Sequence, residues 1–162
     1  MNKTLHIILA AVLTAGLTIA FVASGDAGAA KKPGEKQNSG KVETNYLTLE
    51  LKDGWYLDDR ANDSIYLKRS GNDYWDLTVT ITPIPYTPKK KVDDDVKAIP
   101  NSKLDGQMKI GKVEYWVRKG MAPGNVEASF GLYTASGNKT IQITSLYTIE
   151  QCKSILETIT LK

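Results

Sequence analysis

The sequence predicts an α+β domain, a twisted antiparallel sheet with flanking helices, set behind an export signal. Three observations carry this. From Tyr46 onward most segments alternate apolar and polar residues, the period of half-buried strands. At Ile149 the period changes to that of one helix face. The first thirty residues run basic, then apolar, then small, as secretory signals do.

Lys3 supplies the basic start and Ile7 to Ala23 runs without a charge. Asp26-Ala27-Gly28-Ala29-Ala30 then brings an A-x-A pattern. The expected cut follows Ala29, with Ala30 or the neighbourhood of Ser24 as alternatives. An uncleaved anchor through residues 7–23 is the other reading, at about 17 residues near the short end of the spanning range. No cysteine follows the apolar run, which excludes a lipid-anchored lipoprotein. The chain is therefore expected to act in the periplasm or outside the cell. Residues 1–29 form the signal, 30–44 a polar flexible linker (Lys31 to Thr44) and 45–162 a single domain.

Within the domain Leu47, Leu49 and Leu51 alternate with Thr48 and Glu50, and Lys52-Asp53-Gly54 turns the chain into Trp55-Tyr56-Leu57. Ile65 and Leu67 repeat the alternation, and Ser70-Gly71-Asn72-Asp73 reads as a hairpin connection. Tyr74 to Thr82 is the clearest strand, with Trp75, Leu77, Val79 and Ile81 on one face and Asp76, Thr78, Thr80 and Thr82 on the other. Three prolines between Pro83 and Pro88 exclude a central ladder there. Val92, Val96 and Ile99 fit a short helix that Pro100 ends.

Leu104 to Ile110 and Val113 to Lys119 flank Gly111-Lys112 as a hairpin, and Met121 to Asn125 form a loop. Val126 to Thr134 and Thr140 to Leu146 alternate again, turning at Ser136 to Lys139. Ile149, Cys152, Ile155, Leu156 and Ile159 share one helical stripe, with Thr148 and Gln151 spaced as a capping box. Thr158 to Leu161 then returns to a short strand. The expected core is Leu77, Val79, Ile81, Phe130, Ile141, Ile143, Ile155 and Leu156.

Leu47-Thr-Leu-Glu-Leu-Lys-Asp-Gly-Trp55, followed by Leu77-Thr-Val-Thr-Ile-Thr-Pro83, resembles the opening of PsbP-like domains. The end, Thr140-Ile-Gln-Ile-Thr-Ser145 and Ile155-Leu-Glu-Thr-Ile159, resembles that family's closing strand, helix and tail. The resemblance spans nearly all of Tyr46 to Lys162 in element order. It implies an α/β/α sandwich and an exported accessory or binding role without a shared catalytic set. A lipocalin-like barrel is the alternative fold.

Export removes His6, the sole histidine, and leaves Cys152 as the sole cysteine. Ser-His-Asp and Cys-His catalysis and most zinc sites go with the histidine, and one cysteine makes no internal disulfide. No catalytic, cofactor-binding or metal residues are assigned and no cofactor is expected. Asp58, Asp59 and Asp63, and Asp93-Asp94-Asp95, lack the spacing that wraps calcium. The lysines are scattered and arginine is limited to Arg60, Arg69 and Arg118, so nucleic acid is not an expected partner.

Trp116, Tyr115, Tyr86 and Tyr133 form the candidate binding surface, weighed against a sheet buried on both faces. The expected function is a non-enzymatic accessory or binding domain acting on an envelope or extracellular protein or a small ligand. The alternative is a small hydrolase using carboxylates such as Glu114, Glu127 and Asp76.

Overall fold

Alternating β-branched and aromatic residues give ten strands and two helices in a computed structural model that describes residues 39–61, 63–69, 75–82 and 86–162. The chain divides into two units, Met1–Lys31 and Lys32–Lys162, and the description concerns the second. The predicted export signal, the Ser70–Asp73 connection and the Pro83–Pro85 break lie outside the described residues.

Seven antiparallel strands form the main sheet. In chain order these are β3 (Tyr56–Ala61), β4 (Ser64–Lys68), β5 (Leu77–Thr82), β6 (Ser102–Ile110), β7 (Val113–Ala122), β8 (Val126–Ser136) and β9 (Lys139–Ser145). Their spatial order is β3-β4-β5-β9-β8-β7-β6. The described sheet ends at β3 and β6 and does not close, so the lipocalin-like barrel is set aside. A second sheet joins β1 (Gly40–Glu43), β2 (Leu47–Leu51) and β10 (Thr160–Leu161) in the order β1-β2-β10.

The main sheet has two unlike faces. One packs Leu77, Val79, Ile81, Val117, Phe130, Leu132, Ile141 and Ile143 against the small sheet and α2 (Ile149–Leu156), in a core completed by Trp55, Cys152, Ile155 and Leu156. All eight residues expected in the core are buried there. Removing each such side chain from water is worth about 1.5–3 kcal/mol. The other face carries α1 (Pro88–Ala98), which packs on β6, β7 and β8 and buries Val92. Cover on both sides is why Phe130 to Thr134 are buried without interruption.

A threonine caps the start of each helix. Thr148 and Gln151 form the expected capping box. Thr87 caps α1 and Pro88 opens it, where a missing N–H costs nothing. Lys89, Lys90 and Lys91, with no acid beside them, oppose the α1 dipole in its first turn, while Lys97 suits it in the last. Packing and side-chain bonds to the sheet must therefore hold it. At the β6–β7 turn Gly111 has φ +56°, and a Cβ there would lie 2.8 Å from the Glu157 carbonyl. Only glycine meets both demands without strain.

The structure departs from the sequence expectations at several places, among them β7, which runs on through Met121 and Ala122 where a loop is expected, and α2, which ends before Ile159. Residues 40–43, expected within the linker, form β1, because Val42 pairs with Leu49 and is buried in the core. Strand β5 begins at Leu77, so Trp75 does not join Leu77, Val79 and Ile81 on the core face. The Asp76 backbone N–H instead donates to the Leu67 carbonyl, and its Oδ2 accepts the Arg69 N–H at 2.6 Å.

Candidate functional site

Strand register lines up a row of residues across the face that α1 partly covers: Tyr66, Thr78, Thr144, Gly131 and Arg118, each opposite the next. The adjacent row runs Ser64, Thr80, Gln142, Tyr133 and Trp116. Side chains in register on one face are neighbours. Under α1 the rows are closed, whereas toward β4 and β5 Tyr66, Thr78 and Thr80 remain half-buried.

At this more open end Trp75 stacks on Tyr66, with ring centroids 4.1 Å apart and planes 29° apart. Trp75 is 47% exposed, and its Nε1–H donates to Asp58 Oδ2 at 3.1 Å. The same carboxylate lies 3.4 Å from Lys68 Nζ. The indole is thus held from two directions while nearly half of the residue faces solvent. A large aromatic fixed in this way loses little side-chain freedom when a partner covers it.

The four aromatics expected to form a binding surface do not come together as one. Tyr115 is buried on the core face, and its hydroxyl has no hydrogen-bond partner among the described residues. Tyr133 is buried on the α1 face. Trp116 and Tyr86 are half-buried, with Lys89 Nζ 5.2 Å from the Trp116 ring centre and Lys90 Nζ 4.4 Å from that of Tyr86. The helix that lies over this face closes the region the sequence left open.

Under α1 a polar cluster replaces apolar packing. Asp95 accepts from the Tyr133 hydroxyl at 2.7 Å, Gln142 Nε2 at 3.0 Å and Lys91 Nζ at 2.5 Å. Arg118, 5% exposed, donates from Nε to the Tyr133 oxygen at 3.3 Å. Gly131 leaves the room: a Cβ there would lie 2.7 Å from the Tyr133 oxygen and 3.1 Å from Arg118 Nε. Burial, then the bond to Asp95, raise the Tyr133 hydroxyl well above the ordinary phenol range. The arrangement ties α1 to the sheet.

The other candidates take structural places. Asp93, Asp94 and Asp95 each pair with the lysine four residues earlier. Asp58 serves Lys68 and Trp75, and Asp59 accepts from the Arg60 N–H. Among the described residues no three His, Cys, Asp or Glu side chains group as metal ligands, and no helix is long and apolar enough to cross a membrane. Glu114 is exposed, Glu127 pairs with Lys119 at 3.0 Å, and Asp76 is buried. Burial raises the Cys152 thiol above its ordinary range, which keeps it from acting as a ready nucleophile.

Sequence reasoning missed the Trp75–Tyr66 pair. Its available signal was phase: Tyr66 alternates with Ile65 and Leu67, so it had to face away from the core.

No protein-family model matches the chain. A search of curated proteins likewise finds no match. A solved structure from Bacteroides thetaiotaomicron VPI-5482 is similar, with a TM-score of 0.47 and 13% identity over 78% of this chain and 49% of that one. This chain therefore spans about half the length of that protein.

Proposed function

We propose that this chain is an exported, non-enzymatic accessory domain that binds an envelope protein through the face carrying Trp75 and Tyr66. The observation behind the reading is that Trp75 is 47% exposed while its indole is fixed by stacking and by Asp58. Trp and Tyr dominate the energetic centres of protein interfaces, ringed by polar contacts that exclude water. The Asp58–Lys68 pair and the Thr78 and Thr80 hydroxyls supply such a rim.

The PsbP-like sandwich is the fold reading that accompanies this proposal. It is supported by α1 and α2 lying on opposite faces of an antiparallel sheet, and by the closing order β9, α2, β10. The hydrolase alternative would place its chemistry on Asp76. That carboxylate already accepts the Arg69 N–H, and two-carboxylate hydrolysis needs a second acid across the bond to be cut.

The test is retention of envelope proteins on immobilised exported chain, compared with Trp75→Ala. The expected result is a discrete protein retained by the wild type and lost by the variant, with the fold unchanged by circular dichroism. Equal retention by both would contradict the proposal.

A further inference from the structure

We propose that the notch beside Arg118, at the C-terminal end of α1, binds an aliphatic carboxylate. Arg118 is 5% exposed, and its hydrogen-bond partner among the described residues is the Tyr133 oxygen, 3.3 Å from Nε. Asp95 reaches the guanidinium only through that hydroxyl, and no acidic side chain among the described residues forms an ion pair with it. Nη1 and Nη2 have no partner there, and neither is fully enclosed. A cation so far out of water is costly to leave unmatched, and an anion at its open end removes that cost.

Two glycines give the arginine its room. Gly131 stands opposite Arg118, and Gly120 stands opposite Ser129. A Cβ on Gly131 would lie 3.1 Å from Nε. A Cβ on Gly120 would lie 2.0 Å from Ser129 Oγ and 3.7 Å from Arg118 Nη1. The hydroxyl and the guanidinium therefore approach one point from two strands. Ser129 is half-buried, and its hydroxyl has no partner among the described residues. A guanidinium fork with a second donor beside it matches the two oxygens of a carboxylate.

The surface around these donors is apolar. Leu104, opposite Arg118 on β6, is 38% exposed, and Ile99, which caps the end of α1, is 39% exposed. Ser102 holds Ile99 here: its hydroxyl donates to the Ile99 carbonyl at 2.8 Å, and its backbone lies opposite Gly120. A hydrated inorganic anion would satisfy Arg118 and leave both apolar side chains in water. A carboxylate with a short alkyl chain satisfies the donors and covers Leu104 and Ile99, each buried methylene adding to affinity. Arg118 stands at the far end of the row that begins at Tyr66, so failure of this site would leave the Trp75 reading untouched.

The experiment follows the Arg118 Nε–H signal and the Gly120 and Ser129 amides of the ¹⁵N-labelled exported chain by NMR. Sodium hexanoate, sodium acetate, sodium phosphate and 1-hexanol are titrated separately. The expected result is a saturable shift of all three signals with hexanoate, and binding at least about tenfold weaker with each other probe. Leu104→Ser should weaken hexanoate binding and leave that of acetate unchanged. Arg118→Lys keeps the charge, loses the fork and should weaken hexanoate binding at least about fivefold while the Trp75 indole signal stays in place. Should Arg118→Lys fail to fold, Ser129→Ala removes the second donor and should also weaken binding. No saturable shift with hexanoate, an affinity for acetate, phosphate or hexanol equal to that for hexanoate, or unchanged affinity in the folded Arg118 or Ser129 variant would overturn the proposal.

Discussion

Replacing Asp95 by alanine removes the acceptor that three donors share beneath α1. The Tyr133 hydroxyl at 2.7 Å is buried and Gln142 Nε2 at 3.0 Å is half-buried. Each loses its acceptor, at about 1–3 kcal/mol apiece, with Gln142 at the lower end. Lys91 lies at 2.5 Å with its side chain 22% exposed, and contributes about 0–1 kcal/mol after screening. Arg118 remains buried with its Tyr133 partner disturbed. The sum is about 2–5 kcal/mol, overlapping the range of about 3–5 kcal/mol for breaking a buried charged pair by deleting one member. Urea denaturation should show the midpoint falling by about 2 M with little change in slope. Asp95→Asn, which keeps an acceptor oxygen and loses the charge, should lose about half as much. A loss below about 1 kcal/mol for Asp95→Ala would refute the argument that this cluster holds α1 to the sheet.

Three other outcomes follow from buried groups. Tyr115→Phe should be neutral or stabilising by about 1 kcal/mol in thermal unfolding, because the hydroxyl it removes is buried without a described partner. Gly131→Ala should destabilise by about 1–3 kcal/mol, since its Cβ would press on the Tyr133 oxygen and Arg118 Nε. Cys152 should react with a thiol reagent at pH 7 at least about a hundredfold more slowly in the native than in the urea-unfolded chain. Its thiol is raised in the fold by burial, so the native state keeps a proton that the unfolded state releases above about pH 8.5. The Cys152 contribution to stability is therefore full below that pH and declines as pH rises through the folded value, which Cys152→Ser should remove from the pH profile.

Strand positions were legible wherever one face met the core. Leu47, Leu49 and Leu51, or Leu77, Val79 and Ile81, keep period two because a one-residue slip would expose them all. The Thr148–Gln151 cap was legible because both partners lie within one turn. Strand β1 was not, since Gly40-Lys41-Val42-Glu43 has one apolar residue and owes its form to pairing with β2. Trp75 looked like core because its spacing continued that of Leu77 and Val79. The bonds of Asp76 to residues on β4 and just after it start the strand later, a long-range effect that local period does not contain. Tyr133 looked available because α1 has a thin apolar stripe and its hold on the sheet is largely polar, whereas Tyr115 lies on the opposite face, in the core.

The binding face is tested most directly by oxidative footprinting of the three tryptophans with envelope extract present and absent. The account predicts that Trp75, half-exposed beside Tyr66, is oxidised rapidly alone and is protected by the extract, while buried Trp55 and lysine-covered Trp116 are unchanged. Oxidation of Trp75 at the same rate in both conditions would contradict it.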